Sequence, residues 1–382
     1  MSHVSAVRDR RGAGNVTESR LRAPMTPTLI TAAHFEPLHL PLTEPFAIAT
    51  GAQYAAENVL VRLTLADGTQ GLGEAAPFPA VSGETQASTL SALELVRAVL
   101  VGQDARAWRP MSEALGDSLA LAPSARCAVE TALLDALARH YRVPLYVFLG
   151  GAQRTLDIDM TVTAGDVAHA RQSAQAILAR GISTLKVKVG ALSPGEDAAR
   201  LVAIHEVAPG ARLFADANGG YDVAEALAFL KELERADVPL ALFEQPVPAH
   251  DVAGMAELTR RSRVPVCADE SARSGKDVLR LIREGAAHAI NIKTMKCGIV
   301  EALQMWSLAR TAGLELMVGG MVESVLAMSA SANLAAGLGG FTYADLDTPL
   351  FIASHPFQGG ARYAGAKLEL PADAPGHGVT LA

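Results

Sequence analysis

Between residues 28 and 65, apolar and polar side chains alternate with the period of two that a half-buried strand requires. The pattern is plainest in Asn58-Val-Leu-Val-Arg-Leu-Thr-Leu65. Ala66-Asp-Gly-Thr69 then reads as a turn into a further strand, which predicts a small antiparallel sheet. Helical spacing takes over at about 84–101 and again at 124–141. In the second stretch Ala128, Ala132, Leu133 and Leu137 share a face, and Ser124 stands where an N-cap is needed. Leu149-Gly150-Gly151 closes this region and marks a candidate boundary.

Beyond it, short apolar runs alternate with helix-length segments. The runs are Ile158–Val162, Thr184–Val189, Arg212–Ala215, Leu240–Phe243, Pro265–Ala268, Ala289–Ile292, Leu314–Val318 and a weaker one near Phe341–Leu346. Helices are expected at about 166–180, 195–207, 222–235 and 250–262. Strand–helix alternation means parallel strands joined by crossover helices, and eight units over roughly 200 residues predict an α/β chain of the (β/α)8 TIM-barrel type. The expected organisation is a flexible tail at 1–25, an α+β capping domain at 26–150, the barrel at 151–348, and a segment at 349–382 that packs back on the cap. The tail carries Arg8, Arg10, Arg11, Arg20 and Arg22 without the apolar core of a signal peptide, and Met25 is an alternative start.

Composition narrows the class of function. Of 382 residues, half are hydrophobic and 19% are charged, enough to bury a large core in a water-soluble protein. A formal charge of −7 speaks against nonspecific nucleic-acid binding, and no apolar run is long enough to span a membrane. Cys127, Cys267 and Cys297 lack metal-ligand spacing and fit a reducing cytoplasm. The expected partner is a small-molecule substrate; a homo-oligomer is compatible with the sequence, which does not fix the assembly state.

The chemistry concentrates at the C-terminal ends of the barrel strands, where active sites of this architecture form. The third run ends in Asp216, the fourth in Glu244, the fifth in Asp269 and the sixth in Lys293. The acids either cap helices separately or form one site. Three in register repel one another unless a hard divalent cation is present, and oxygen ligands suit Mg2+. Lys186 and Lys188 are two apart in a strand, so both face the barrel interior, where each is expected to lower the other's pKa. Lys293 comes from the opposite side. A lysine on each face of a metal-held substrate can remove a proton from one side and return it to the other, as racemisation or epimerisation requires.

These residues resemble the muconate-lactonizing subgroup of the enolase superfamily. The resemblance runs through Lys186-x-Lys188, Asp216-Ala-Asn218, Glu244-Gln-Pro246, Asp269-Glu-Ser271 and Lys293, with the helix Ala128-Val-Glu-Thr-Ala-Leu-Leu-Asp135. It implies Mg2+ on Asp216, Glu244 and Asp269, with Lys188 and Lys293 as the acid/base pair. Lys186 would bind the substrate carboxylate and tune Lys188, and Asn218 and Glu270 would brace the ligands. Mandelate-type relatives use a His-Asp base instead; His205, His250 and His288 fall on helices or loops here.

The subgroup carries out cycloisomerisation, succinylbenzoate synthesis, N-acylamino-acid racemisation and dipeptide epimerisation. Asp345-Leu-Asp347 at the end of the eighth run resembles the pair with which dipeptide epimerases hold the peptide's amine; as a local feature it reads equally as a turn with a capping Asp. Thr161 resembles a substrate-contacting threonine, and Met321, in Gly319-Gly-Met-Val-Glu-Ser324, either lies in the contact region after the seventh strand or packs in the core. The loop at about 44–57 should fold over the site. Alanine–glutamate epimerases place an arginine there, whereas Thr50, Gly51, Ala52 and Gln53 provide none, so a small or hydrophobic partner residue is as well accommodated as an acidic one.

Overall fold

The computed structural model describes residues 26–48, 51–151 and 153–382; the expected tail, the alternative start at Met25 and Thr50 lie outside the described residues. The chain opens with three antiparallel strands in the order β1-β2-β3: β1 (Ile30–Ile48), β2 (Gly51–Leu65) and β3 (Gln70–Ala75). Alternation in Asn58–Leu65 becomes pairing of β2 with both neighbours, and Gly68, at φ 86°, takes the left-handed turn between β2 and β3. Helices α1 (Pro79–Ser82), α2 (Gln86–Leu100), α3 (Trp108–Ser118), α4 (Pro123–His140) and α5 (Leu145–Phe148) follow.

The expectation that Ser124 caps α4 is incorrect. Ala122 is the N-cap, Pro123 takes the first turn with its preset φ, and the Ser124 hydroxyl donates instead to the buried Glu84 carboxylate at 2.6 Å. Helix α4 lies directly on β3. Gly71 and Gly73, on one face of that strand, leave room for the helix backbone: a Cβ at Gly73 would stand 2.0 Å from the Ala128 carbonyl oxygen.

The remainder is a barrel. After β4 (Thr155–Asp157), the units are β5 (Met160–Val162) and α6 (Val167–Ala179), β6 (Thr184–Lys188) and α7 (Pro194–Val207), β7 (Arg212–Asp216) and α8 (Val223–Arg235), and β8 (Leu242–Glu244) and α9 (Val252–Arg261). They continue with β9 (Val266–Ala268) and α10 (Gly275–Glu284), β10 (Ala289–Lys293) and α11 (Ile299–Ala312), β11 (Glu315–Gly319) and α12 (Val325–Leu338), and β12 (Tyr343–Asp345). Strands β5 to β12 form one parallel sheet in sequence order, flanked by the helices. The first and last strands meet through two contacts: Asp159 N–H donates to the Ala344 carbonyl at 3.1 Å, and Thr161 N–H to Asp347 Oδ2 at 2.6 Å.

Inside the barrel, Phe214, Leu242, Cys267, Ala289, Met317 and Tyr343 form an apolar floor, one from each of six strands. On the other face of β6, Leu185 and Val187 pack against the outer helices, so Lys186 and Lys188 point inward. Register then fixes the next layer: Lys188 pairs with Asp216, and Asp216 with Glu244.

Two buried carboxylates join the cap to the barrel. Glu74 on β3 accepts from Ser324 N–H at 2.9 Å and from the Ser324 hydroxyl at the start of α12, and from Asn58 Nδ2 on β2. Glu130 on α4 accepts from Val300 N–H at 2.9 Å at the start of α11. Each places negative charge where helix dipoles favour it. The C-terminal segment pairs β13 (Phe357–Gly359) with β16 (Val379–Leu381), and β14 (Arg362–Ala364) with β15 (Lys367–Glu369), the last also bonded to β4. It touches α4 through Asp135, which accepts from His377 N–H at 2.9 Å and Leu72 N–H at 2.9 Å.

Candidate active site

Five strand ends deliver ionisable groups to one rim. Asp216 and Glu244 are the last residues of β7 and β8, Asp269 directly follows β9, Lys293 ends β10 and Lys188 ends β6. All five are buried or nearly so, and Lys186 is inaccessible. Burial of so many charges is tolerable only because opposite signs alternate. Lys188 Nζ lies 2.6 Å from Asp216 Oδ2, Lys186 Nζ lies 3.0 Å from Asp216 and 2.7 Å from Glu244, and Lys293 Nζ lies 2.7 Å from Asp269 Oδ2.

The backbone at these strand ends is unusual for a reason. Asn218 and Gln245 adopt φ of 44° and 33°, rare for non-glycine residues. Gln245, which is fully buried, uses this turn to accept from Asp269 N–H at 2.9 Å and Ser271 N–H at 3.0 Å. It therefore holds the backbone that carries Asp269. Asn218 donates to Glu270 at 3.1 Å, and its N–H to Asp216 Oδ1 at 3.0 Å. Burial and the nearby Asp269 push the Glu270 carboxyl up to about 7.

The expectation that Lys186 is pulled below its ordinary pKa is not met in this structure. Burial disfavours its charge, but Asp216, Asp345 and Glu244 outweigh burial and hold the ammonium well above the usual range. Lys293 is likewise raised: burial opposes the charge and Asp269 leads the groups that favour it. Asp216 and Asp269 are held low; burial alone would raise them, and the surrounding lysines reverse the sign. For Lys186 the surrounding carboxylates decide the sign.

A cavity opens above this layer. Its wall includes Thr161, Lys188, Asn218, Asp269, Glu270, Lys293, Met321, Asp345 and Asp347 from the barrel, and Phe46, Ile48, Phe78 and Val81 from the cap. The structure thus brings together all of the sequence-derived site residues: the cavity holds most, and Asp216, Glu244 and Lys186 lie beneath, tied to its floor. Asp345 Oδ2 accepts from Lys186 at 2.7 Å, and Asp347 anchors to Thr161 N–H. Burial followed by the Asp345 charge raises Asp347 to about 6.

Several contributors went unread in the sequence. Lys296 reaches Asp269 Oδ1 at 2.5 Å and the Asn291 carbonyl at 2.9 Å, and Asn291 Nδ2 donates to Glu244 at 2.7 Å. Asn291 lies two residues before Lys293 on the same strand, so its inward aim was legible from parity. Asp159, directly ahead of β5, likewise stands two residues before Thr161.

Residues 30–150 match the family model described as "Mandelate racemase / muconate lactonizing enzyme, N-terminal domain", and residues 169–382 match "Enolase C-terminal domain-like". The chain belongs to the mandelate racemase/muconate lactonizing enzyme family. An aromatic dipeptide epimerase of Herpetosiphon aurantiacus is 58% identical over 356 residues, covering 93% of this chain and 100% of that protein. The L-Ala-D/L-Glu epimerase of Bacillus subtilis is 35% identical over 343 residues, covering 89% of this chain and 93% of that protein. A dipeptide epimerase from Enterococcus faecalis, solved with Mg and L-Leu-L-Tyr, is similar with a TM-score of 0.88 at 33% identity, covering 92% of this chain and 99% of that one.

Within this family framework, the metal question turns on the donor set. Asp216, Glu244 and Asp269 supply oxygen donors only, from adjacent strands, with Asn291, Gln245 and Asn218 fixing them from behind; this fits a hard cation such as Mg2+. Among the described residues, the group of three carboxylates whose oxygens all lie within 4.8 Å of one another is a different one, Asp159, Asp345 and Asp347. No helix among the described residues is long and apolar enough to cross a membrane.

Proposed function

We propose that this chain is a Mg2+-dependent dipeptide epimerase that inverts the α-carbon of the C-terminal residue, with a preference for hydrophobic side chains. The observation that carries the reaction type is that Lys188 and Lys293 enter one cavity from β6 and β10, with the carboxylate row of β7 to β9 between them. One lysine takes the α-proton as the neutral amine, a form open to Lys293 once the negative charge of Asp269 that otherwise keeps it protonated is taken up by the cation. The other, as an ammonium, returns a proton to the opposite face, and exchange of roles serves the opposite epimer.

Asp216, Glu244 and Asp269 would hold the cation, which when bound occupies their negative charge and offsets that of the enediolate. Lys186 adds a fixed positive charge beneath the substrate carboxylate, kept protonated by its three acidic neighbours. Asn218 and Glu270 brace Asp216 and the turn after Asp269. Thr161 and Met321 line the substrate space, and Asp345 with Asp347 receives the free amine. Three free, buried cysteines suit a reducing cytoplasm.

The substrate preference rests on the cap. Its described contributions to the cavity wall, Phe46, Ile48, Phe78 and Val81, are all apolar, and the cations lining the wall are the two catalytic lysines. The relative named for aromatic dipeptides, and the structure holding L-Leu-L-Tyr, are in keeping with that wall.

The test is proton NMR in D2O with Mg2+, comparing L-Ala-L-Phe, L-Leu-L-Tyr and L-Ala-L-Glu. Exchange of the C-terminal α-proton is expected with the first two, and a chelator should abolish it. A higher kcat/KM for L-Ala-L-Glu would overturn the side-chain preference. An N-acylamino-acid racemase, succinylbenzoate synthase or cycloisomerase of the same subgroup has no amine to hold. Unchanged exchange in an Asp345→Asn/Asp347→Asn double variant would therefore move the function to that group.

A further inference from the structure

The barrel seam holds one buried acid more than the amine contact described above uses. Asp159, Asp345 and Asp347 are each buried, and one oxygen from each lies within 4.8 Å of the others. Lys186 answers only Asp345, which it shares with Asp216 and Glu244. Asp347 gives one oxygen to Thr161 N–H, and its other oxygen has no partner. Asp159 is 2% exposed, and neither of its carboxylate oxygens has a hydrogen-bond partner. A buried carboxylate without a donor is costly, so this position invites a ligand that brings donors.

The seam explains how the space arises. Strands β5 and β12 meet through the Asp159 and Thr161 N–H groups, one bonded to a carbonyl and the other to the Asp347 side chain. Asp159 and Thr161 share the inward face, and Asp345 and Asp347 approach from the other strand end. Because the three oxygens lie within 4.8 Å of one another, one nitrogen at or just above their centre can reach all three at about 2.8 Å, an N–H···O hydrogen-bond length. A primary ammonium carries three N–H groups and matches the three oxygens one to one. Lys186, at 2.7 Å from Asp345, works against a divalent ion in the same place.

We propose that Asp159 is the third wall of an ammonium hole, completed by Asp345 and Asp347, that selects the free primary amine of the dipeptide. The assignment rests on the dipeptide reading above and adds a specificity residue to it. In the absence of a cation, burial and the Asp345 charge keep the Asp159 carboxyl well above its ordinary range, in keeping with a group that awaits a positive partner.

The test compares wild type with Asp159→Asn, which preserves shape and removes the charge. Substrates are L-Ala-L-Phe and N-acetyl-L-Ala-L-Phe, followed by α-proton exchange. One charge-assisted hydrogen bond predicts a KM for the free dipeptide raised about tenfold, with kcat little changed and the acetylated substrate unaffected. An unchanged KM, or equal losses with both substrates, overturns the proposal. Should the variant fail to fold, wild type decides the matter with N-methyl and N,N-dimethyl forms of L-Ala-L-Phe. Three oxygens should penalise the first methyl group, and full tolerance of it overturns the three-walled hole. If Asp345→Asn and Asp347→Asn raise the KM while Asp159→Asn does not, only the role of Asp159 falls. If none does, and wild type treats the acetylated substrate like the free one, the dipeptide reading falls with it.

Discussion

The contact between β3 and α4 can be tested by adding a single methyl group. In Gly73→Ala the new Cβ would stand 2.0 Å from the Ala128 carbonyl oxygen and 3.1 Å from Ala132 N, both backbone atoms. Ordinary contact begins at 3.4 Å, so strand and helix must separate by about 1.4 Å along that line. A flexible side chain could rotate away; a helix with fourteen buried residues cannot move without disturbing the cap core. Overpacking typically costs 1–3 kcal/mol, and a clash against backbone belongs at the upper end, so a loss of about 3 kcal/mol is expected. Urea unfolding followed by circular dichroism measures it. Gly68→Ala is the control: nothing lies within 4 Å of its Cβ, and only its positive φ is penalised, at about 1 kcal/mol. Strand β3 leads directly to Phe78 in the cavity wall, so a folded Gly73→Ala should also show a raised KM. A loss below about 1 kcal/mol would mean that the close approach of β3 and α4 is not rigid, and would refute the argument.

Other consequences are equally direct. Lys188→Ala and Lys293→Ala should each lose epimerisation by about 10^2-fold or more, while each retains α-proton exchange with only one epimer. Deuterium exchange from L-Ala-L-Phe and L-Ala-D-Phe assigns the lysines to faces, and loss of both exchanges in both variants would reject the two-base scheme. Glu244→Gln should weaken Mg2+ binding by at least about 100-fold, read by titration calorimetry and by a smaller thermal shift on adding the ion. His377 is buried, donates from Nε2 to the Leu72 carbonyl and accepts at Nδ1 from Val379 N–H, which fixes it as neutral. Burial depresses its pKa below the ordinary 6.5, so below that pH the unfolded chain takes up a proton that the folded one refuses. Stability should therefore fall with decreasing pH by up to about 1.4 kcal/mol per unit, and less so in His377→Gln. Equal urea midpoint shifts between pH 7.5 and 5.5 in both proteins would contradict this.

Much of the fold and site was legible because strand parity and strand termini are local properties. The alternation of residues 184–189 placed Lys186 and Lys188 inside the barrel, and the last residue of each run supplied Asp216, Glu244 and Lys293. What escaped was non-local. Ser124 satisfied every local rule for a cap, yet Glu84, forty residues away, claimed its hydroxyl. The charge state of Lys186 depended on three acids from three other strands, none of them neighbours in sequence. Asp159 was readable by parity with Thr161, but its significance emerged only when the first and eighth strands met.

Glu74 and Glu130 bear on how such a protein can diverge. Each is a cap side chain seated on the first turn of a barrel helix, so buried hydrogen bonds tie cap and barrel together there. The cap residues that line the cavity, Phe46, Ile48, Phe78 and Val81, make no such bonds to the barrel through their side chains. Recombination between relatives therefore meets two kinds of position. Exchanging a whole cap succeeds only where the incoming segment brings acids that seat on α11 and α12, whereas substitutions at 46, 48, 78 and 81 alter the ligand without touching that joint. Point changes in the cavity wall can therefore shift substrate range while the joint between cap and barrel stays intact.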